Sequence, residues 1–276
     1  MKSPRENPGS SAAIKELWPS ADAGLSAALL KALHILTRDG ALNQDSRRKL
    51  KQVLHLVQLL RPSLEDVLKE KDEPLLADLG AGKSYLGFIL YDLVFGPAGR
   101  GRVIGVEARE DLVTTSRRLA KTCGFERIEF LHSAISQANL PDGRADIVTA
   151  LHACDTATDD AILFGLRHQA KVIALVPCCQ AEVARALEEK KGALDQLWRH
   201  PIQRREFGAH VTNVMRGLFL ESHGYKVRVT ELVGWEHSLK NELILAERHQ
   251  RSNAMAKAQL DRLVDELGVR PALLAG

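Results

Sequence analysis

Leu75-Leu76-Ala77-Asp78-Leu79-Gly80-Ala81-Gly82-Lys83-Ser84 is the stretch on which the fold turns. A short apolar run meets two glycines and passes directly into KSYLGFILYDLVF, which has helical texture. Glycine lets backbone approach a ligand closely, and the free amides at a helix start favour electronegative groups. Downstream the texture repeats. RVIGVEA precedes DLVTTSRRLAKTCG, IEFLHSA follows, and ADIVTALHACD leads to DDAILFGLRHQA and KVIALVPCC to AEVARALEEKKGALDQLW. Apolar runs alternating with helical stretches predict a parallel sheet covered on both faces. VTNVMRGLFLESHGY then reads as a helix ending at Gly224, and KVRVTELVG and NELILAER as two strands that close the sheet antiparallel. SNAMAKAQLDRLVDELG reads as a last helix closed by Gly268.

Upstream, residues 1–20 are rich in Ser, Pro, Asn and Gly without a period, which predicts a loose segment. Leu25, Leu29, Leu33 and Leu36, then Leu50, Val53, Leu54, Val57, Leu60, Leu64 and Leu68, carry helical spacing through residues 21–71, with a break expected at Pro62. Arg47, Arg48, Lys49 and Lys51 make either a solvated face or a substrate-docking patch.

Composition narrows the function classes. The 276 residues are 45% apolar, enough for a sizeable core, and 38 Lys+Arg against 35 Asp+Glu leave a net charge of +3, without an acidic tail or a strongly basic arm. No apolar run reaches the roughly 18 residues of a membrane span, and MKSPRENPGSSAAIKELWPS has no apolar core of the signal-peptide kind. The expectation is a soluble cytoplasmic protein with no membrane partner. Cysteines at 123, 154, 178 and 179 include one adjacent pair, unlike a secreted disulfide framework, so reduced thiols are expected.

Three readings compete for the glycine turn. Gly82-Lys83-Ser84 ends like a phosphate loop, but that motif wants glycine where Ala77 stands. A dinucleotide fingerprint wants a third glycine where Tyr85 stands. The remaining pattern is Asp78-x-Gly80-x-Gly82 followed by an acid at the end of the second strand, Glu107. It resembles the class I S-adenosylmethionine-dependent methyltransferases over about residues 74–248. The likeness implies a seven-stranded Rossmann-like α/β sheet, mostly parallel with an antiparallel last strand, over residues 72–250. A helical extension would precede it and a C-terminal helix and tail, 251–276, would follow. It also implies S-adenosylmethionine as cofactor and S-adenosylhomocysteine as product. Asp78, Gly80 and Gly82 would form the methionine-side turn, Glu107 would accept from the ribose hydroxyls, and Ser133, Ala134 and Leu151 would complete the cofactor contacts. An ionised carboxylate, which only accepts, suits a diol that donates.

In open α/β sheets ligands bind beyond the carboxyl ends of the strands. The fourth strand ends in Leu151-His152-Ala153-Cys154-Asp155 and the fifth in Val176-Pro177-Cys178-Cys179-Gln180. The N/D/S-P-P-Y/F motif of amino-base methylases is absent after strand four. With His237-Ser238-Leu239-Lys240-Asn241, these segments resemble a branch of the superfamily that includes a tRNA 2′-O-methyltransferase and carries L-H-x-C and Cys-Cys segments. That likeness implies an RNA substrate, tRNA or rRNA. Methyl transfer needs an aligned acceptor and removal of a proton, which makes His152 and Asp155 candidates to orient or deprotonate it. Cys154 and Cys179 stand roughly where RNA 5-methylcytosine enzymes place their cysteines, in motifs that do not match. They serve either covalent catalysis or a tight turn. With no C-x2-C pair a structural metal is not expected. Trp235 is a candidate to stack on a base and Lys240 to contact phosphate or a substrate carboxylate, the alternative being a core Trp and a solvated Lys in a hairpin loop, and Arg204, Arg205 and His210 are candidates for a basic rim before the next helix. A methyltransferase of a small molecule or protein, and a non-catalytic cofactor-binding module, remain the alternatives.

Overall fold

The computed structural model describes residues 26–37, 44–151, 153, 155–178, 180–232 and 242–275. The chain divides into two compact units, residues 1–139 with 232–237, and residues 140–231 with 238–276. The seven-stranded sheet is ordered 3-2-1 in the first unit and 4-5-7-6 in the second, a Rossmann-like α/β arrangement as expected.

In the first unit β1 (Leu75–Leu79) pairs parallel with β2 (Arg102–Glu107), which pairs parallel with β3 (Ile128–His132). All five β1 residues are buried, as expected of a strand covered on both faces, and Asp78 is its one charge. Between β1 and β2 runs α3 (Tyr85–Leu90), which continues through a π-helical turn, Tyr91–Phe95, into Gly96–Ala98. Between β2 and β3 lies α4 (Glu110–Cys123), stopped by Gly124 at φ +68°. Gly105 on β2 leaves room that a side chain would take from the Phe130 ring, 2.6 Å from where a Cβ would stand.

The helical prefix belongs to this unit. It comprises α1 (Ala27–Ala32), capped by Ser26, and α2 (Gln44–Glu70). The Ser26 amide donates to Asp92 Oδ2 at 2.7 Å and the Tyr85 hydroxyl to the Leu33 carbonyl at 3.0 Å, so the prefix is tied to both ends of the helix after the glycine turn. The break expected at Pro62 does not occur: α2 runs through it. Pro62 and Gln58, whose carbonyl loses an amide partner, are both exposed to water, while Leu60, Leu64 and Val67 keep the buried stripe going.

In the second unit β4 (Ile147–Leu151) pairs parallel with β5 (Val172–Val176). β7 (Glu242–Arg248) inserts antiparallel between β5 and the edge strand β6 (Tyr225–Glu231), so it alone runs against the others in this unit. Exposed Lys226 and Arg228 keep the edge charged. Helices α5 (Thr156–Arg167), α6 (Glu182–Leu187), α7 (Pro201–Ser222) and α8 (Ala254–Leu267) complete the unit. Val183, Leu187, Trp198, Val211, Met215, Leu260 and Val264 form a core between α6, α7 and α8. Gly208 permits the close crossing, since a Cβ there would stand 2.7 Å from Ala184 backbone. Two sequence expectations change. The helix expected over residues 181–198 ends at Leu187, where Lys190-Lys191-Gly192 offers no apolar periodicity to extend it. Conversely α7 starts at Pro201, whose missing amide suits a first turn, so Arg204, Arg205 and His210 lie on the helix and not before it.

Candidate active site

The β1–α3 turn places three residues in the left-handed region, Gly80 at φ +62°, Gly82 at +57° and Ser84 at +53°. Glycine adopts that region without strain at the first two. The chain curls so that the Ala81 amide donates to the Val106 carbonyl at 3.0 Å and the Ser84 amide to the Ala81 carbonyl at 2.6 Å. Ser84 is fully buried, and its hydroxyl donates to Asp78 Oδ2 at 3.4 Å. A Cβ on Gly87 would stand 3.0 Å from the same carboxylate oxygen. Asp78 therefore braces the turn from within.

Glu107, buried at the end of β2, joins the turn from the neighbouring strand. Its Oε2 accepts from the Gly82 amide at 2.7 Å, and its Oε1 accepts from the Arg109 amide at 3.0 Å and from Arg109 Nε at 2.9 Å. Burial pushes the carboxyl up, but the hydrogen bonds from Arg109 and Gly82 outweigh it and hold Glu107 below the ordinary glutamate range. The Arg109 side chain is 65% exposed. After β3 the Ser133 amide donates to the Glu107 carbonyl at 3.0 Å and its hydroxyl to the Ala134 carbonyl at 2.9 Å. The first unit thus gathers Asp78, Gly80, Gly82, Glu107 and Ser133 at the carboxyl ends of its strands, with exposed Ala134 next in the chain.

The second unit holds the other candidates. Leu151 ends β4 half-buried. His152, Cys154, Cys179, Trp235 and Lys240 lie outside the described residues. Asp155 lies within them and is strained, a non-glycine residue at φ +51°, ψ −124°. Such a conformation persists only where its surroundings over-determine it. Here the Thr158 amide and Arg216 Nη2 both donate to the Asp155 carbonyl, at 3.3 and 2.9 Å, and Asp155 Oδ1 accepts from the Ala181 amide at 3.2 Å. The Asp155 carboxylate thereby links the turn after β4 to the turn after β5. Cys178 is half-buried.

The sequence reading missed the centre of this arrangement. Arg216 on α7 has a side chain 1% exposed, and its Nε donates to Asp159 Oδ1 at 2.7 Å. Its Nη1 donates at 3.3 Å to both Gln180 Oε1 and Asn213 Oδ1. Gln180 Nε2 donates to Asn213 Oδ1 at 3.0 Å, and Asn213 Nδ2 donates to Glu242 Oε2. Burial pushes the Asp159 carboxyl above the ordinary aspartate range, Arg216 pulls it partly back and Asp155 adds to the rise. One signal was available: an arginine three residues after an asparagine inside the mostly apolar VTNVMRGLFL, and acids at 155 and 159, four positions apart. Of the basic rim, Arg204 donates to Glu188 at 2.9 Å, while Arg205 and His210 are exposed.

A family model described as methyltransferase domain matches residues 48–186. The chain belongs to this methyltransferase family. No curated protein matches the methyltransferase chain. Among solved structures it is similar to a SAM-dependent methyltransferase from Aquifex aeolicus, with 22% identity, 66% of this chain and 87% of that one covered, and a TM-score of 0.40. It is also similar to an rRNA methylase from Streptococcus thermophilus (12% identity, 65% and 89% covered, TM-score 0.42). A third is the magnesium protoporphyrin IX methyltransferase from Synechocystis with bound SAH (12% identity, 86% and 99% covered, TM-score 0.48). Among the described residues of the methyltransferase, no helix is long and apolar enough to cross a membrane, and no group of three or more His, Cys, Asp or Glu side chains is arranged to hold a metal ion.

Proposed function

We propose that this methyltransferase modifies RNA. In this reading Glu107 and the Asp78–Gly82 turn hold the cofactor, and Asp155, with His152, Cys179 and Lys240, acts on the acceptor. The observation that carries it is the pairing of Glu107 with the Gly82 amide. The carboxylate is ionised, buried and aimed into a turn whose two glycines present no side chain. A carboxylate has about four acceptor sites, and protein donors take three here, one of them from the exposed and replaceable Arg109 side chain. Ribose hydroxyls fit that remaining capacity, with Ser133, Ala134 and Leu151 as further neighbours of the cofactor. The bound cofactor supplies an electrophilic sulfonium methyl. The chain's own tasks are to exclude water, align the acceptor and take its proton.

RNA is favoured by the likeness of the L-H-x-C and Cys-Cys segments to a tRNA-modifying branch. Exposed side chains on two helices, Arg48 and Lys51 on α2 and Arg205 and His210 on α7, are compatible with phosphate. The test is transfer of tritiated methyl to RNA from cells lacking the protein. Labelled RNA, with binding that weakens steeply as salt rises, supports the reading. Label only in protein or metabolite fractions overturns the RNA part, and no label in any fraction leaves a binding module.

Asp155→Asn keeps an oxygen for the Ala181 amide but no longer takes up a proton. Turnover is expected to fall by roughly 10²-fold or more while thermal stability changes little, as loss of a general base predicts. Rapid-quench methyl transfer and thermal melts check it; full turnover in Asp155→Asn removes Asp155 from the chemistry.

A further inference from the structure

We infer that Arg216 is a positioning residue for the proposed acceptor residues of the second unit, clamping the turns after β4 and β5 in one fixed arrangement. The inference rests on the proposed function for what those turns do, but its geometry stands apart from the identity of the acceptor. From α7 one guanidinium reaches the Asp155 carbonyl, the Asp159 carboxylate, the Gln180 amide oxygen and the Asn213 amide oxygen. Asp155 follows His152 and Cys154 in the chain, and Gln180 follows Cys178 and Cys179. The residues proposed to act on the acceptor are therefore sequence neighbours of the two points that Arg216 grips. Asn213 extends the grip to Glu242, the first residue of β7 and the one that follows the segment containing Trp235 and Lys240.

A planar fork with five donors can serve these acceptors together in fixed directions, which an ammonium cannot. The arrangement also accounts for the strained Asp155 backbone. Its carbonyl is held by Arg216 Nη2 and the Thr158 amide, its side chain by the Ala181 amide, and Thr158 Oγ1 donates to the adjoining Ala153 carbonyl at 2.7 Å. Without Arg216 the Asp155 turn loses a hydrogen bond that comes from α7, and the Gln180 turn loses its link to the Asp159 carboxylate.

Two variants test this. Arg216→Lys keeps a cation beside Asp159 with one nitrogen in place of three, and the double variant Arg216→Met with Asp159→Asn removes both charges, so that folding is not burdened by an unpaired buried ion. Amide hydrogen exchange around Asp155 and Gln180 is expected to accelerate at least tenfold in both, while exchange through β1, β2 and β3 and the calorimetric affinity for S-adenosylhomocysteine stay within threefold of wild type. In single-turnover methyl transfer the maximal rate is expected to fall at least tenfold with the cofactor KM unchanged. Unaltered exchange around Asp155 and Gln180 overturns the inference. So does acceleration spread evenly over both units together with loss of product affinity, which would make Arg216 a support of the whole fold. If wild-type enzyme labels no RNA, the RNA reading fails, and the exchange comparison still decides on Arg216.

Discussion

Glu107→Ala is expected to weaken binding of S-adenosylhomocysteine by at least about 100-fold, because hydrogen bonds to a charged group contribute about 1.5–3 kcal/mol each and a ribose offers two hydroxyls. The variant also strands the Gly82 amide that Oε2 now receives, so the turn loses its tie to β2. Stability should suffer less than binding, since the other partner, Arg109, is largely exposed and returns to water. Glu107→Gln retains one acceptor oxygen without the charge, and a loss nearer tenfold is expected. Titration calorimetry on protein shown by circular dichroism to be folded decides this, and unchanged affinity in Glu107→Ala would refute the role. Proton linkage adds a second readout. A carboxyl held below its ordinary range in the fold contributes stability that is present above the unfolded pKa and is lost as pH falls through the depressed one. Affinity should therefore be flat between about pH 6 and 8, with no titration of Glu107 in that window.

The Arg216→Met single variant is expected to be the most destabilising change in the second unit. It leaves Asp159, whose side chain is 7% exposed, as a buried carboxylate without its cation, a loss of about 3–5 kcal/mol. For a chain of this size that is a fall in melting temperature of roughly 10 °C. The pH dependence separates this cause from simple loss of packing. Burial already raises the Asp159 carboxyl above its unfolded value, and removing Arg216 takes away the group that pulls it down. Stability from a carboxyl so raised is fully present below the unfolded pKa and declines as pH rises through the folded one. The deficit of the variant relative to wild type should therefore be larger at pH 8 than at pH 5. Adding Asp159→Asn should recover much of the deficit at pH 8. Urea unfolding at the two pH values measures both, and a deficit independent of pH would assign the loss to packing alone.

The candidate residues of the two units differ in how far the sequence discloses them. Asp78, Gly80 and Gly82 lie in one short alternating run, and Glu107 is the end of the next strand, so the strand period and the glycine spacing place them without any knowledge of packing. The same periodicity separates the strands and helices of both units. It fails at Pro62, because an apolar stripe continuing on the far side of the helix outweighs one lost backbone hydrogen bond at a wet face. It also fails over residues 181–210, where a run of charged and polar residues reads equally well as helix or loop until α6 and α7 are seen to pack.

What the sequence by itself determined was the alternating sheet and its glycine turn, because backbone requirements such as a positive φ at Gly80 and Gly82 and an acid at a strand end are written locally, residue by residue. What only the tertiary structure decided was the role of Arg216. It meets Asp159 from 57 positions away and gathers Gln180, Asn213 and the Asp155 carbonyl in the same grip. A buried charge is tolerable only where folding delivers its partners, and no spacing along the chain specifies which distant groups those will be.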